Sequence, residues 1–493
     1  MSQINSQEQL IYRYLADQIQ LGFYREGETF PSAKEIAAVH QVSYCPVQRA
    51  LKALERDGLI ELSRGRKTVV LKKPYENYME SEVFKRRLGA LADLCRSLEL
   101  ISSSLCLQGL SNLKGSENML PEMSGQDDIC YGRTLYHLFE VSLKGLGNGT
   151  VMNLYYDIFA FSGSSFRDIL LQALGEEEAA AFWKDKTKFY MNCLEMCQNQ
   201  KYSEGRAYLR QGEKLYYEKL DGYLQRIAGT PGAVDQEEFS WEPYKGRTKY
   251  CDSVAIDMVC KINHGIYPVG TLLPGISELA DIYHVSEITV RRMIRILNQL
   301  GVVSTQNGIG TYVVCAGDER IPYKLKELKI DNNLRVFLEA VQLLAVIGEE
   351  VMKVTFPYCT AGQMESIANA LAVKKPKASM VSTVGACLRV IALQCPFAAL
   401  REIFGKITLL LLNGSILRLS ETGDEECPGW SEIKKDLSEN LSQRDAQKFA
   451  EAFGRLAGNM FLSSKRDLLE IGVEGAAKVA DLVSVEKIET ADA

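Results

Sequence analysis

Apolar residues near the start of the chain recur at three- and four-residue spacing, the period of helices that bury one face. Leu10, Ile11, Tyr14, Leu15 and Ile19 form the first stripe, and Gly22 ends it. A shorter stripe, Ile36, Ala37 and Val39, follows Pro31-Ser32. Ser32 and Glu35 there make an S-x-x-E capping box, in which each side chain satisfies an amide donor left orphaned at the helix start. His40 to Val42 reads as a tight turn, and Ser43 as the N-cap of a third helix with Val47, Ala50, Leu51 and Leu54 inward. Gly58 supplies a left-handed exit. Two β-prone runs follow, Leu59 to Leu62 and Thr68 to Leu71, with the turn Arg64-Gly65-Arg66-Lys67 between them. Three helices and a hairpin predict a winged helix-turn-helix.

The series returns 243 residues later: Gly22 pairs with Gly265, Gly27 with Gly270, Pro31 with Pro274, Glu35 with Glu278, Arg49 with Arg292, Gly58 with Gly301 and Thr68 with Thr311. The second copy predicts a first helix with Val254, Met258, Val259 and Ile262 inward, and a second from Ser277 to Tyr283. Its third helix is capped by Ser286, and its wing turn runs from Asn307 to Gly310. Between and after the copies the helical period continues, over Phe84–Leu107 and Leu334–Val354. Asn153–Phe159 resembles Ala399–Phe404 with one deletion, and Trp183 matches Trp430, so the duplication extends into these segments as two units of about 245 residues. Residues 228–233, AGTPGA, read as the linker between the units. The expectation is a mainly α chain of four domains: winged helix-turn-helix domains at 1–75 and 244–316, followed by all-helical domains at 76–240 and 317–493.

Charge sharpens this picture. The chain carries a net −6, but residues 1–75 carry +3 and residues 244–316 carry +2, leaving −11 on the rest. Two mildly basic readers on an acidic body suit DNA binding. No uninterrupted apolar run approaches the ~20 residues of a membrane span, and residues 1–18 lack the layout of a signal peptide. A cytoplasmic protein with thirteen reduced cysteines is expected. No CxxC pair stands among them. No G-x-S-x-G, P-loop or Rossmann pattern occurs, so catalytic residues, enzyme activity and cofactors are not expected.

The blocks PSAKEIA and LPGISELA, SYCPVQRAL and SEITVRRMI, DGLI and LGVV, and RGRKTVV and NGIGTYV resemble, in order and spacing, the GntR family of bacterial transcription regulators. The resemblance covers about 70 residues per copy. It implies double-stranded DNA as partner, contacted in copy one by Lys34, Ser43, Tyr44, Gln48, Arg49, Arg64, Arg66 and Lys67. In copy two the matching positions are Ser277, Ser286, Glu287, Thr289, Arg291, Arg292, Asn307, Gly308, Gly310 and Thr311. The copies differ where the family reads DNA: the basic residue of the second helix is Lys34 in one and Ser277 in the other, and Gln48 stands where Arg291 is kept. Arginine pairs bidentately with guanine and glutamine with adenine, so the expected site is an imperfect inverted repeat with unlike halves. A winged helix kept only for protein contact is the alternative.

Residues 138–149 resemble part of the family's helical FCD (FadR-like) domain, which implies a small-molecule effector and self-association. Many such domains hold a metal with one aspartate and three histidines; this chain has only four histidines, three of them in or beside the readers, and Phe139 occupies a family histidine position, so no metal is expected. His137 reads as an ordinary core or surface residue. Cys193 and Cys197, four apart on one helical face, and the stripe Tyr202, Tyr208, Tyr216, Tyr217 and Tyr223 read first as helix packing, with a redox pair and a ligand pocket as their functional alternatives.

Overall fold

The computed structural model describes residues 7–20, 24, 26–40, 43–62, 67–71, 82–113, 138–162, 165–228, 236–243, 250–263, 265–306, 308–314, 331–414, 417 and 429–483. Gly22, Val42, Arg64, Arg66, His137, the linker residues 229–233, His264 and Asn307 lie outside them.

The first reader consists of α1 (Gln7–Gln20), α2 (Ala33–His40), α3 (Tyr44–Arg56), β1 (Ile60–Glu61) and β2 (Val69–Val70). Its core is Ile19, Val47, Ala50, Leu54 and Ile60, all fully buried. Each such aliphatic side chain contributes roughly 1.5–3 kcal/mol through burial. The capping box forms as the sequence predicts: the Glu35 amide donates to Ser32 Oγ at 3.3 Å, and the Ser32 amide to Glu35 Oε2 at 2.7 Å. Gly58 follows the third helix at φ 69°, in the left-handed region.

The duplication is reproduced hydrogen bond by hydrogen bond. Gly27 N donates to Val70 O at 2.8 Å, and Gly270 N to Val313 O at 2.7 Å. Phe30 N to Thr68 O recurs as Leu273 N to Thr311 O, and Leu71 N to Leu59 O as Val314 N to Val302 O. The bridge Thr29–Val69 recurs as Leu272–Tyr312. Gly27 (φ 81°) and Gly270 (φ 86°) hold the same left-handed turn before this strip, which only glycine adopts without strain. The second reader comprises α9 (Tyr250–Asn263), α10 (Ile276–Tyr283), α11 (Glu287–Leu300), β3 (Val303–Gln306) and β4 (Gly310–Val313), the hairpin registering Val303 with Val313.

The first helical segment supplies α4 (Glu82–Leu110), a short helical stretch at 138–144, α5 (Gly149–Ser162), α6 (Ser165–Leu174), α7 (Glu176–Gln198) and α8 (Tyr202–Ala228). The second supplies α12 (Asp331–Thr355), α13 (Ala361–Leu371), α14 (Pro376–Gln394), α15 (Ala398–Leu411), α16 (Trp430–Gln443) and α17 (Ala446–Glu470). Within each segment the long first helix packs on the last, α4 on α8 and α12 on α17. Between segments the contacts are reciprocal: α4 meets α15, α12 meets α5, and α4 meets α12. Exchange of partners between two copies is the mark of a two-fold, isologous interface.

Polar groups seal this junction. Asp93 on α4 accepts from the first amides of α15, Ala398 N at 2.8 Å and Ala399 N at 2.7 Å. Reciprocally, Glu339 on α12 accepts from Thr150 Oγ1 at 2.7 Å, and Gln342 from Asn148 Nδ2 at 2.8 Å, at the start of α5. A carboxylate beside a helix N-terminus satisfies orphan donors and complements the helix dipole.

Residues 236–243 run along the seam. Trp241, fully buried, donates its indole N–H to Asn153 of α5 at 2.8 Å, while its backbone amide donates to Glu402 of α15 at 3.0 Å. The next amide, Glu242 N, donates to Asp157 of α5 at 3.2 Å. Asp157 and Glu402 are the acidic residues of the repeated Asp-Ile-Phe and Glu-Ile-Phe motifs, so matched side chains hold adjacent amides of one strap.

The helical segments bury one continuous apolar core that also includes the second reader, from Val254 to Val313. The first reader keeps a separate core and touches the body through Tyr14, whose ring lies edge-on to Tyr156 at 5.0 Å and to Phe159 at 5.8 Å. The tyrosine stripe is packing: Tyr208 stacks on Phe189 at 3.9 Å, and Tyr216 and Tyr217 are buried. Cys193 and Cys197 are buried on α7, and the ten described cysteines are free thiols. By length and composition α14 is the one described helix able to cross a bilayer; half of its apolar window is buried against the rest of the bundle.

Candidate nucleic-acid interface

Each third helix turns an apolar face inward and a polar face outward. In α3, Val47, Ala50, Leu51 and Leu54 are buried, while Ser43, Tyr44, Gln48, Arg49 and Lys52 are exposed. In α11, Val290, Met293, Ile294 and Leu297 are buried, while Ser286, Glu287, Arg291, Arg292 and Arg295 are exposed and Thr289 is half-buried. Both reading faces are therefore open to solvent. Lys52 and Arg295 are matched cations one turn beyond Gln48 and Arg291, absent from the residues that family resemblance pointed to.

Local bonds set the side chains differently in the two copies. Ser286 caps α11, accepting from Thr289 N at 3.4 Å, with the two hydroxyls 3.0 Å apart. Ser43 makes no such side-chain bond, against expectation. Pro46, buried in the first turn of α3, brings no amide to that end of the helix. Tyr44 Oη accepts from Gln48 Nε2 at 3.3 Å, joining two candidate readers into one unit. Arg49 pairs with Glu8 of α1 at 2.7 Å, so in this structure it ties two helices together. Its match, Arg292, has no ion-pair partner recorded among the described residues. Arg291 pairs with Glu287 at 3.4 Å with both side chains more than half exposed. Such a pair is worth only ~0–1 kcal/mol and yields readily to a base or phosphate.

The second helices and wings complete the surfaces. Lys34 and Ser277 are exposed at the matched position. Hydrogen bonds from the Ser32 amide and hydroxyl hold the Glu35 carboxyl below its ordinary value, with a smaller contribution from the charge of Lys67. In copy two the wing turn has Gly308 at φ 81° and Gly310 at φ 131°. Thr311 corrects the sequence-based expectation: its side chain is buried, 3.0 Å from the Thr305 hydroxyl, so it braces the hairpin and does not present itself to a ligand. The side chain alternates inward along β4, a direction that the family motif alone does not fix. Between the two glycines Ile309 is 65% exposed, and Ile288 on α11 is 62% exposed. Reader two thus offers apolar groups where reader one has Arg66 and Cys45.

The pattern of bacterial regulatory proteins of the gntR family matches residues 7–70 and 252–313. The chain carries two GntR-family winged helix-turn-helix domains. Their third helices are α3 and α11. An uncharacterized HTH-type transcriptional regulator of Streptomyces coelicolor, SCO4628, is 43% identical over 58 residues, which are 12% of this chain and 22% of that protein. The chain therefore matches about a fifth of that relative's length. Among solved structures, a Streptococcus agalactiae GntR is 16% identical, covering 43% of this chain and 99% of that one, with a TM-score of 0.19. A GntR-family regulator of Pseudomonas syringae pv. tomato str. DC3000 is also 16% identical, covering 45% and 88%, with a TM-score of 0.20. No group of three or more His, Cys, Asp or Glu side chains among the described residues is placed to hold a metal ion.

Proposed function

We propose that the chain is a cytoplasmic, non-enzymatic transcription regulator in which one polypeptide does the work of a dimer. Two unlike GntR-type readers grip one imperfect inverted repeat of double-stranded DNA under the control of a small-molecule effector. The observation that carries this reading is the reciprocal packing of the halves, α4 on α15 and α12 on α5, with the reading faces of α3 and α11 both exposed. A covalent pair raises the effective concentration of the second reader once the first is bound. The N-terminal turns of α3 and α11 and the cations Lys34, Lys52, Lys67, Arg292 and Arg295 supply phosphate contacts, which position the protein and are sensitive to salt. Arg291, released from Glu287, reads guanine in one half-site, while Gln48, steadied by Tyr44, reads adenine in the other. Selection of genomic fragments followed by footprinting tests the proposal: two unlike half-sites protected by one chain support it, and identical half-site requirements refute it.

One observation favours a protein-contact role for reader two. Ile266, Val269, Leu272, Ile288 and Ile309 are all more than half exposed there. Binding to DNA that is absent at every salt concentration would select that reading.

A further inference from the structure

Two segments cross the seam, and each follows the last helix of its half. The first is the 236–243 strap, which comes after α8. The second comes after α17, where Val473, Ala476 and Val479 are buried at three-residue intervals. Its root stays with its own half: a Cβ at Gly475 would meet Arg335 Cδ of α12 at 2.4 Å. Its far part reaches the first half. Ala480 N donates to Leu146 O at 3.0 Å. Gln108, near the end of α4, donates to Asp481 O at 2.8 Å and accepts from Val483 N at 3.1 Å. One amide side chain thus takes a carbonyl and an N–H of the segment, as a neighbouring strand would.

The contact point is shaped for a backbone. Gly147 stands at φ 60°, and a Cβ there would lie 1.8 Å from Lys478 O. Only glycine allows that approach. Gln342 of α12, fully buried, donates to Ala480 O at 2.8 Å and accepts from Asn148 Nδ2 at 2.8 Å, so it holds the segment and the first half together. Asn148 also donates to Glu339 O at 2.7 Å. Gly147-Asn148-Gly149, the end of the 138–149 stretch, therefore lie where α5, α12 and the crossing segment meet.

The two crossings differ in grip. Trp241 anchors the first with a large, fully buried ring. The second is held by small side chains and hydrogen bonds, and its outer edge is open: Asp481 is 76% exposed although it pairs with Lys465 at 2.5 Å. A segment with few buried apolar contacts opens at a lower free energy than the core around it.

We propose that residues 473–483 are a releasable clasp. Docked on Gln108, Leu146 and Gly147 they hold the two halves in register; released, they let the halves, and with them the readers, shift. Only the consequence for DNA rests on the regulator reading; the docking stands apart from it.

Hydrogen exchange on the full chain, read at the Val483 amide, is the direct test. Gln108→Ala removes the acceptor of that amide. Ala480→Pro removes the N–H that Leu146 accepts, keeps the carbonyl that Gln342 bonds, and leaves the body untouched. Each variant is expected to speed exchange at Val483 about fivefold to tenfold, the equivalent of one hydrogen bond, with α12 and α17 exchanging as in the parent chain. Small-angle scattering reads the register without DNA, and the radius of gyration should rise in both variants. Affinity for a paired DNA site should fall about tenfold, with single half-site affinity unchanged. Unchanged exchange at Val483 in both variants overturns the clasp. So does exchange that quickens equally in α12 and α17, the mark of a segment that is simply part of the core. Faster exchange with an unchanged scattering profile overturns its hold on the register, and undiminished paired-site affinity overturns the link to the readers. A parent chain that binds no DNA at any salt concentration, with exchange and scattering as expected, overturns the regulator reading and leaves the clasp standing.

Discussion

Truncation of Trp241 to alanine tests whether the 236–243 strap joins the halves. The side chain is fully buried, and its indole N–H donates to Asn153 at 2.8 Å. Removing a buried aromatic of this size costs roughly 3–5 kcal/mol through lost burial and the cavity left behind. Leaving Asn153 Oδ1 without its donor adds about 1 kcal/mol. The sum, about 4–6 kcal/mol, is a large share of the ~5–15 kcal/mol that holds a typical domain folded. Trp241→Phe retains most of the ring and loses the N–H, so about 1–2 kcal/mol is expected. Urea unfolding followed by far-ultraviolet circular dichroism measures both, and the slope must be compared as well as the midpoint because a change in slope signals loss of cooperativity. Under conditions where the variant is still folded, its affinity for a paired DNA site should fall toward that for one half-site, because the fixed spacing of the readers is lost. A midpoint within error of the parent protein, or paired-site binding undiminished, refutes the strap.

Four other outcomes are expected. Arg291→Ala relaxes base preference in one half-site only, by ~1–3 kcal/mol for a lost bidentate guanine contact, and Glu287→Ala strengthens the same half; binding-site selection with each variant checks both. Lys67→Ala weakens DNA binding without altering sequence preference and lowers the salt slope by about one, read from affinities at four salt concentrations. Glu35, whose carboxyl is held below its ordinary value of 4.5 chiefly by the Ser32 backbone and side-chain hydrogen bonds, contributes stability that is present above pH 4.5 and is lost as pH falls through its folded value. Ser32→Ala returns the titration toward 4.5 by nuclear magnetic resonance and flattens that acid-side loss. Gly385→Ala stabilises α14 by ~0.5–1 kcal/mol, since it replaces glycine in a helix interior at a position with open space; a lowered unfolding midpoint would contradict the helix and the open space together.

Local chemistry was legible before any coordinates. The Ser32–Glu35 box, the left-handed Gly58 and Gly301, and the wing hairpins follow from residue types at fixed spacing, and each formed where predicted. Side-chain direction was not legible. Thr311 turned inward because β4 alternates faces, and Arg49 found Glu8, 41 residues away in sequence. Ser43 and Ser286 are matched residues, yet only Ser286 closes its cap. Lys52 and Arg295 were within reach of the same helical spacing that singled out Gln48 and Arg291, and one more turn of the pattern finds them. Least legible was the junction of the halves. Asp93 and α15 are separated by 305 residues, and nothing in a carboxylate on a long helix announces which distant helix it will cap.

Duplication followed by divergence explains why the two readers are attached so differently. In a dimer of identical chains, a substitution that weakens one reader weakens both, and an effector site exists twice. A fused pair escapes that constraint. Reader one keeps Lys34 and the cations of its wing, and it retains its own core, joined to the body through the rings around Tyr14. In the proposed reading such a module grips phosphate while bearing little on the body's packing. Reader two has lost the second-helix cation, carries Glu287 against Arg291, and shares its core with the body. A packed, continuous core transmits a change in shape where a small aromatic contact does not. The half of the molecule that holds a cavity beside Trp430 is also the half whose reader is packed into the same core, and Cys260, on α9, lines that cavity. Affinity assigned to one reader and control to the other is what this arrangement permits and what two identical chains do not.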